Sequence, residues 1–245
     1  MQHASKQWLL STARAILTAA PVLLVGTAAV AQSKPTNVAP GWKTTASAAD
    51  GFRVATDAVR RPNGKGFVGT TIHGSGEVKA SSAVLQQSIR ADAYRGRRVK
   101  LSGWMKTAID TSSGSKAMLW IRVDGSDGAI TSDYMTDRPV RDTRDWTSYD
   151  LVLDVPKDAM GITFGAILAG PGQLWVDDLS FQTVATTIPV TGKIGNALYP
   201  GAGKGCTSET KHEELCRANR RAYDVASPQP KNLDFEQTMG ASGSR

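Results

Sequence analysis

Side chains able to do acid–base, nucleophilic or metal chemistry are sparse in this chain of 245 residues, which has three histidines and two cysteines. His3 lies in a stretch that reads as an export signal, which leaves His73 and His212 far apart in sequence. That arrangement gives no support to a multi-histidine metal site or a histidine general base. No Gly-x-Ser-x-Gly elbow occurs, so an α/β-hydrolase nucleophile is missing. In Gly201-Ala-Gly-Lys-Gly-Cys-Thr207 the earlier glycine of a phosphate loop is absent and Lys204 is followed by Gly205 instead of Ser or Thr. Asp124, Asp127, Asp133, Asp137, Asp142 and Asp145 cluster between Ile121 and Trp146. A glycosidase needs two carboxylates about 5 to 10 Å apart, but these fall among Asp-Gly and Ser-Asp turn dipeptides. They read as turn formers, and the chain as non-catalytic.

The positive signal is aromatic. A sugar ring offers apolar C–H faces rimmed by hydroxyls, so a surface that binds it needs aromatic planes flanked by amides, carboxylates or guanidinium groups. Trp120 beside Arg122, with Gln86, Trp104 or Trp175 nearby, has the composition of such a platform.

Strands must position those side chains. From Phe52 to about Val184 the apolar residues alternate with period two, punctuated by Gly, Asp, Asn and Pro, and helical periodicity is almost absent. The alternation predicts strands over 52–56, 67–73, 82–90, 97–107, 116–124, 146–155, 161–169 and 173–183. Eight strands in one domain predict an all-β fold, a single jelly-roll β-sandwich. Val99, Leu101, Gly103 and Met105 then point one way and Trp104 the other; Leu119, Ile121 and Val123 point one way and Met118, Trp120, Arg122 and Asp124 the other. Leu174, Val176, Leu179 and Phe181 face inward around an irregular step at Asp177-Asp178, which turns Trp175 outward. Trp42 and Trp146 read as core or edge anchors.

The first 31 residues read as a signal peptide: basic Lys6 and Arg14, an apolar stretch from Ile16 to Thr27, and a small-x-small site at Ala29-Val30-Ala31. The expectation is a periplasmic or secreted protein with no membrane span after cleavage. Its formal charge of +7 falls to +5 once Lys6 and Arg14 are removed, and the remaining bases are interleaved with acids, so nucleic acid is not an expected partner. The expected partners are a carbohydrate or envelope polymer, with a structural or protein-interaction domain as the alternative. Residues 185–209 read as a linker. A capping box at Thr210-x-x-Glu213 opens a helix over 210–223, to which a Cys206–Cys216 disulfide is expected to staple a short loop.

Five segments together resemble the β-sandwich modules of the galactose-binding-like superfamily, which include many bacterial carbohydrate-binding modules. They are Leu85-Gln-Gln-Ser-Ile-Arg90, Tyr94 to Gly103, Leu119-Trp-Ile-Arg-Val-Asp124, Asp145-Trp-x-x-Tyr149 leading to Asp154-Val-Pro156, and Gly172 to Phe181. The resemblance spans roughly residues 41–184 and implies the same sandwich, with fold alone not carrying sugar binding. The Asn-x-x-Phe-Glu strand that usually opens such modules is absent before Gly41-Trp42. A copy, Asn232-Leu-Asp-Phe-Glu236, stands instead in the tail over 224–245. It either folds back to supply the missing strand or is the stub of a following domain. By resemblance, Glu236 with Asp177 or Asp178 would hold a structural calcium.

Overall fold

The computed structural model describes residues 38–46, 50–57, 69–75, 82–126, 128–194 and 210–237. The expected signal peptide, most of the linker and Cys206 lie outside them. The described strands are β1 (Lys43–Thr44), β2 (Phe52–Asp57), β3 (Gly69–Gly74), β4 (Ser82–Arg90), β5 (Arg98–Ala108), β6 (Lys116–Gly125), β7 (Gly128–Asp133), β8 (Arg144–Asp154), β9 (Gly161–Ala169), β10 (Gly172–Val184) and β11 (Lys193–Ile194), followed by the helix α1 (Thr210–Asp224).

The strands form two antiparallel sheets. A front sheet has the order β1-β4-β9-β6-β7-β11 and a back sheet the order β2-β3-β10-β5-β8. The chain switches sheets at β4, β5 and β6, and again at β8, β9 and β10, which is how a jelly roll closes its core without a long unpaired edge. Strand β5 shows why these residues make strands: Val99, Leu101 and Met105 are buried while Arg98, Lys100 and Trp104 between them are not. Its inner face meets Leu85, Ile89, Leu119, Ile121, Phe164, Leu174 and Val176 in one core. Each fully buried side chain of this size contributes about 1.5–3 kcal/mol of transfer free energy. At Gly103 the sheets come so close that a Cβ would lie 3.2 Å from Leu119 Cδ1 and from Leu179 Cγ.

The inward and outward assignments agree with the alternation, including the step in β10. There the register with β5 shifts between Asp177 and Ser180, and Asp178 takes φ 48° with its N–H donated to Asp177 Oδ1 at 2.7 Å. Strand β7 lies in a stretch expected to be turns. It is the short return arm of a hairpin with β6, and its Gly-Ala-Ile-Thr-Ser-Asp sequence carries too little apolar alternation to signal it.

The tail folds back on its own domain, but not as a strand. Asn232 and Phe235 have φ of 48° and 59°, a left-handed backbone that a strand does not take, and Gln237 N–H donates to Asn232 Oδ1 at 2.9 Å to close a turn. The turn is tied down at several points. The Gln87 amide brackets Lys231, accepting its N–H at 2.7 Å and donating to its carbonyl at 2.8 Å. Trp42 Nε1 donates to the Asn232 carbonyl at 2.9 Å, and Leu179 N–H to the Leu233 carbonyl at 3.0 Å. Phe235 is fully buried, its ring 5.1 Å from Trp42. Cys216 on α1 is buried and is not a free thiol, its expected partner Cys206 lying outside the described residues.

Candidate functional site

The candidate ligand contacts divide between the two outer faces. Gly165 pairs with both Trp120 and Gln86, and Thr163 with both Arg122 and Ser88, so Trp120, Arg122 and Gln86 share the outer face of the front sheet. Trp104 opposite Asp177, and Trp175 opposite Lys106, lie on the outer face of the back sheet. The single platform expected from Trp120 with Trp104 or Trp175 does not form. Strands β5 and β6 are consecutive but belong to different sheets, which turns their outward side chains away from each other.

On the front face Trp120 is 3% exposed, against the expectation of an exposed plane. The reason is Tyr134, just past β7, whose half-buried ring lies 5.4 Å from the Trp120 ring at an interplanar angle of 5°. Trp120 Nε1 is buried and has no hydrogen-bond partner among the described residues. Gly165 supplies the bare backbone beside it, because a Cβ there would meet the Leu85 carbonyl oxygen at 1.9 Å. Tyr134 also lines a cavity of about 530 Å³, with Met118, Ile167, Lys116, Ser113 and Thr136. Alternation placed Met118 and Trp120 correctly on this face. It missed Tyr134, which follows a strand that itself went unread.

The other end of the face is occupied by the tail. Tyr223, near the end of α1, lays its ring over Gly161, where a Cβ would come within 2.0 Å of Tyr223 Cδ1 and Cε1. Its hydroxyl donates to Asp124 and lies 3.0 Å from Thr163 Oγ1. Burial, and next the Asp124 charge, push the Tyr223 phenol above its usual range. Arg122 Nε sits 2.9 Å from Asp124 Oδ1. Burial opposes its charge, but the negative groups around it, Asp124 first, outweigh burial and hold the guanidinium protonated. Between this corner and the tail lies a second cavity of about 420 Å³, lined by Lys43, Gln86, Ser88, Arg122, Tyr223 and Lys231 among others.

Asp124 and Asp133 are therefore not surface turn formers. Both are buried; Asp133 holds Arg138 at 2.6 Å and accepts the Met135 N–H at 2.9 Å. Asp145 is the second residue of β8, where it accepts the Trp146 N–H at 2.8 Å within the strand, and Asp127 lies outside the described residues.

On the back face Trp104, Trp146 and Trp175 are half-buried, with Lys106 Nζ 5.9 Å over the Trp175 ring. Cations of β5 are matched by aspartates of β8: Arg98 Nε to Asp154 at 2.8 Å, Lys100 to Asp150 at 3.3 Å and Lys106 to Asp145 at 3.5 Å.

The residues implied as calcium ligands meet only in part. The Leu179–Leu233 backbone bond brings the segment leading to Glu236 toward the bulge at Asp177 and Asp178, and carboxylates are the hard donors calcium takes. Among the described residues, no group of three or more His, Cys, Asp or Glu side chains is gathered closely enough to hold a metal ion.

No family model matches the chain. Over 155 residues it is 36% identical to an uncharacterized HTH-type transcriptional regulator of Bacillus subtilis (strain 168), a match covering 62% of this chain and 50% of the relative; the chain thus spans about half the length of the curated relative it matches. Solved structures that resemble it include the enzymatically active domain of tailspike protein 4 from bacteriophage CBA120, with a TM-score of 0.46, 16% identity, and coverage of 59% of this chain and 20% of that chain. The CBM22-1 xylan-binding domain from Paenibacillus barcinonensis Xyn10C has a TM-score of 0.42 at 13% identity, covering 59% of this chain and 86% of that chain. No ligand is carried over from either.

Proposed function

We propose that this chain is an exported, non-catalytic β-sandwich module that binds carbohydrate on the outer face of its front sheet. The observation that carries the reading is the Tyr134–Trp120 stack beside the 530 Å³ cavity. A sugar ring lying there would find an aromatic plane in Tyr134, apolar floor atoms in Met118 and Ile167, and polar groups in Lys116, Ser113 and Thr136. Trp120 backs Tyr134 from below instead of touching the sugar through an exposed face. Arg122 and Gln86 lie farther along the same face as polar neighbours.

The test is a glycan array and an insoluble-polysaccharide pull-down on the purified chain, with and without calcium. Tyr134→Ala is expected to weaken binding about tenfold, with the thermal transition nearly intact. Trp104→Ala and Trp175→Ala are expected to leave it unchanged. Loss through Trp175→Ala instead would move the ligand to the back sheet, and a folded protein that binds no glycan would leave the protein-interaction reading. A melting temperature raised by calcium and made insensitive to it by Asp177→Asn would place an ion at the bulge. Export is checked by N-terminal sequencing of protein recovered outside the cytoplasm, expected to begin at Gln32.

A further inference from the structure

We infer that the glycan taken by the front face is anionic, carrying carboxylates as a uronate chain does; this rests on the front-face reading. The cavity beside Tyr134 is lined by Lys116, and the one beneath the tail by Lys43, Arg122 and Lys231; among the described residues lining either, none is an aspartate or glutamate. Among the described residues, Lys43, Lys116 and Lys231 make no ion pair. The one carboxylate of β6, Asp124, is already engaged by Arg122 and Tyr223. One more donor on this face, buried Trp120 Nε1, has no acceptor among the described residues.

The described lining is therefore rich in cations and holds no carboxylate, its acceptors being the glutamine amides of Gln86 and Gln87 and hydroxyl groups. A neutral sugar hydroxyl both donates and accepts, and a site built for it supplies carboxylate or amide oxygens to take its protons; an ammonium group can only donate. A carboxylate on the ligand is all acceptor, and its bonds to ammonium or guanidinium are the stronger, charge-assisted kind. The back sheet shows the contrast within the same molecule, since Arg98, Lys100 and Lys106 are each neutralised by an aspartate of β8. Lys43 and Lys231 come from β1 and the returning tail, so docking of the tail brings two unneutralised cations to one cavity.

The experiment measures dissociation constants of the purified chain for hexagalacturonate and for cellohexaose, a neutral chain of equal length, at low and high salt, with single-stranded DNA as a non-glycan polyanion. The expected result is binding of the hexauronate in preference to the neutral hexaose, weakening as salt rises. Lys43→Gln, Lys231→Gln and Lys116→Gln are each expected to weaken it roughly two- to five-fold, while Lys106→Gln on the back face changes nothing. Equal binding of cellohexaose, with the lysine variants unaffected, would overturn the inference and leave the carbohydrate reading standing. Binding of neither hexamer would overturn both. DNA binding as tight as the hexauronate and lost in the same variants would show attraction by charge without sugar recognition, which also overturns it.

Discussion

On the back sheet the outward cations of β5 are paired with the aspartates of β8, and the tryptophans of this face are half-buried, Trp175 with Lys106 over its ring. On the front sheet the outward row of β6 is covered at two points, by Tyr134 at Trp120 and by Tyr223 at Asp124, and among the described residues the lysines around its cavities make no ion pair. The faces differ because one is finished by ion pairs across a strand ladder and the other by side chains from outside its strands, Tyr134 just past β7 and Tyr223 from the returning tail. A face closed by cross-strand pairs has little left to offer a ligand. A face closed by side chains from outside its strands keeps cavities beside them.

That contrast is most exposed to changes in the tail. Phe235→Ala removes a fully buried ring from between Trp42 and the core, and is expected to cost about 3–5 kcal/mol in urea unfolding. In native-state hydrogen exchange, protection should fall first in residues 223–237 while β5 and β8 keep theirs. Equal loss on both sheets would mean that the tail is part of one indivisible core. Gly161→Ala sets a methyl against the Tyr223 ring and should cost about 1–3 kcal/mol, an effect that disappears when Tyr223 is already alanine.

Tyr223→Phe leaves Asp124 and Thr163 without the phenol and should cost about 1–3 kcal/mol near neutral pH. Because the folded protein holds this phenol protonated more firmly than the unfolded chain, its contribution is complete below the ordinary value of 10.0 and is lost as pH rises above it. In urea titrations from pH 7 to 11 the gap between wild type and variant should therefore hold up to about pH 10 and narrow above it; a constant gap would mean that the phenol does not titrate differently in the two states. The smallest effect is expected on the back face. Asp150→Asn breaks a solvent-exposed pair with Lys100, and its cost should not exceed about 1 kcal/mol and should vanish at high salt.

Much of the framework was legible without coordinates. The residues of β5, β6 and β10 that face inward follow from alternation alone, and the Asp177-Asp178 step is marked by two acids interrupting an apolar series. Trp104, Trp120 and Trp175 were rightly placed outward, but outward was mistaken for exposed. Exposure depends on what lies above a strand, and Tyr134 and Tyr223 are separated from Trp120 and Asp124 by 14 and 99 positions. The tail motif at Asn232 to Glu236 announced a return to the domain, yet its left-handed Asn232 and Phe235 form a turn that no strand pattern encodes.

The sequence by itself determined that this chain makes a two-layer β fold and which side of each strand is apolar, because the pleat has a period of two and buried side chains must be apolar. Only the tertiary structure decided which sheet each strand joins, and therefore that Trp120 and Trp175 look out from opposite faces. Tertiary structure alone also decided that the tail covers one end of the front face and brings Lys231 to the same cavity as Lys43. Those outcomes rest on pairings between residues far apart in the chain, and local alternation, being the same in either sheet, carries no information about them.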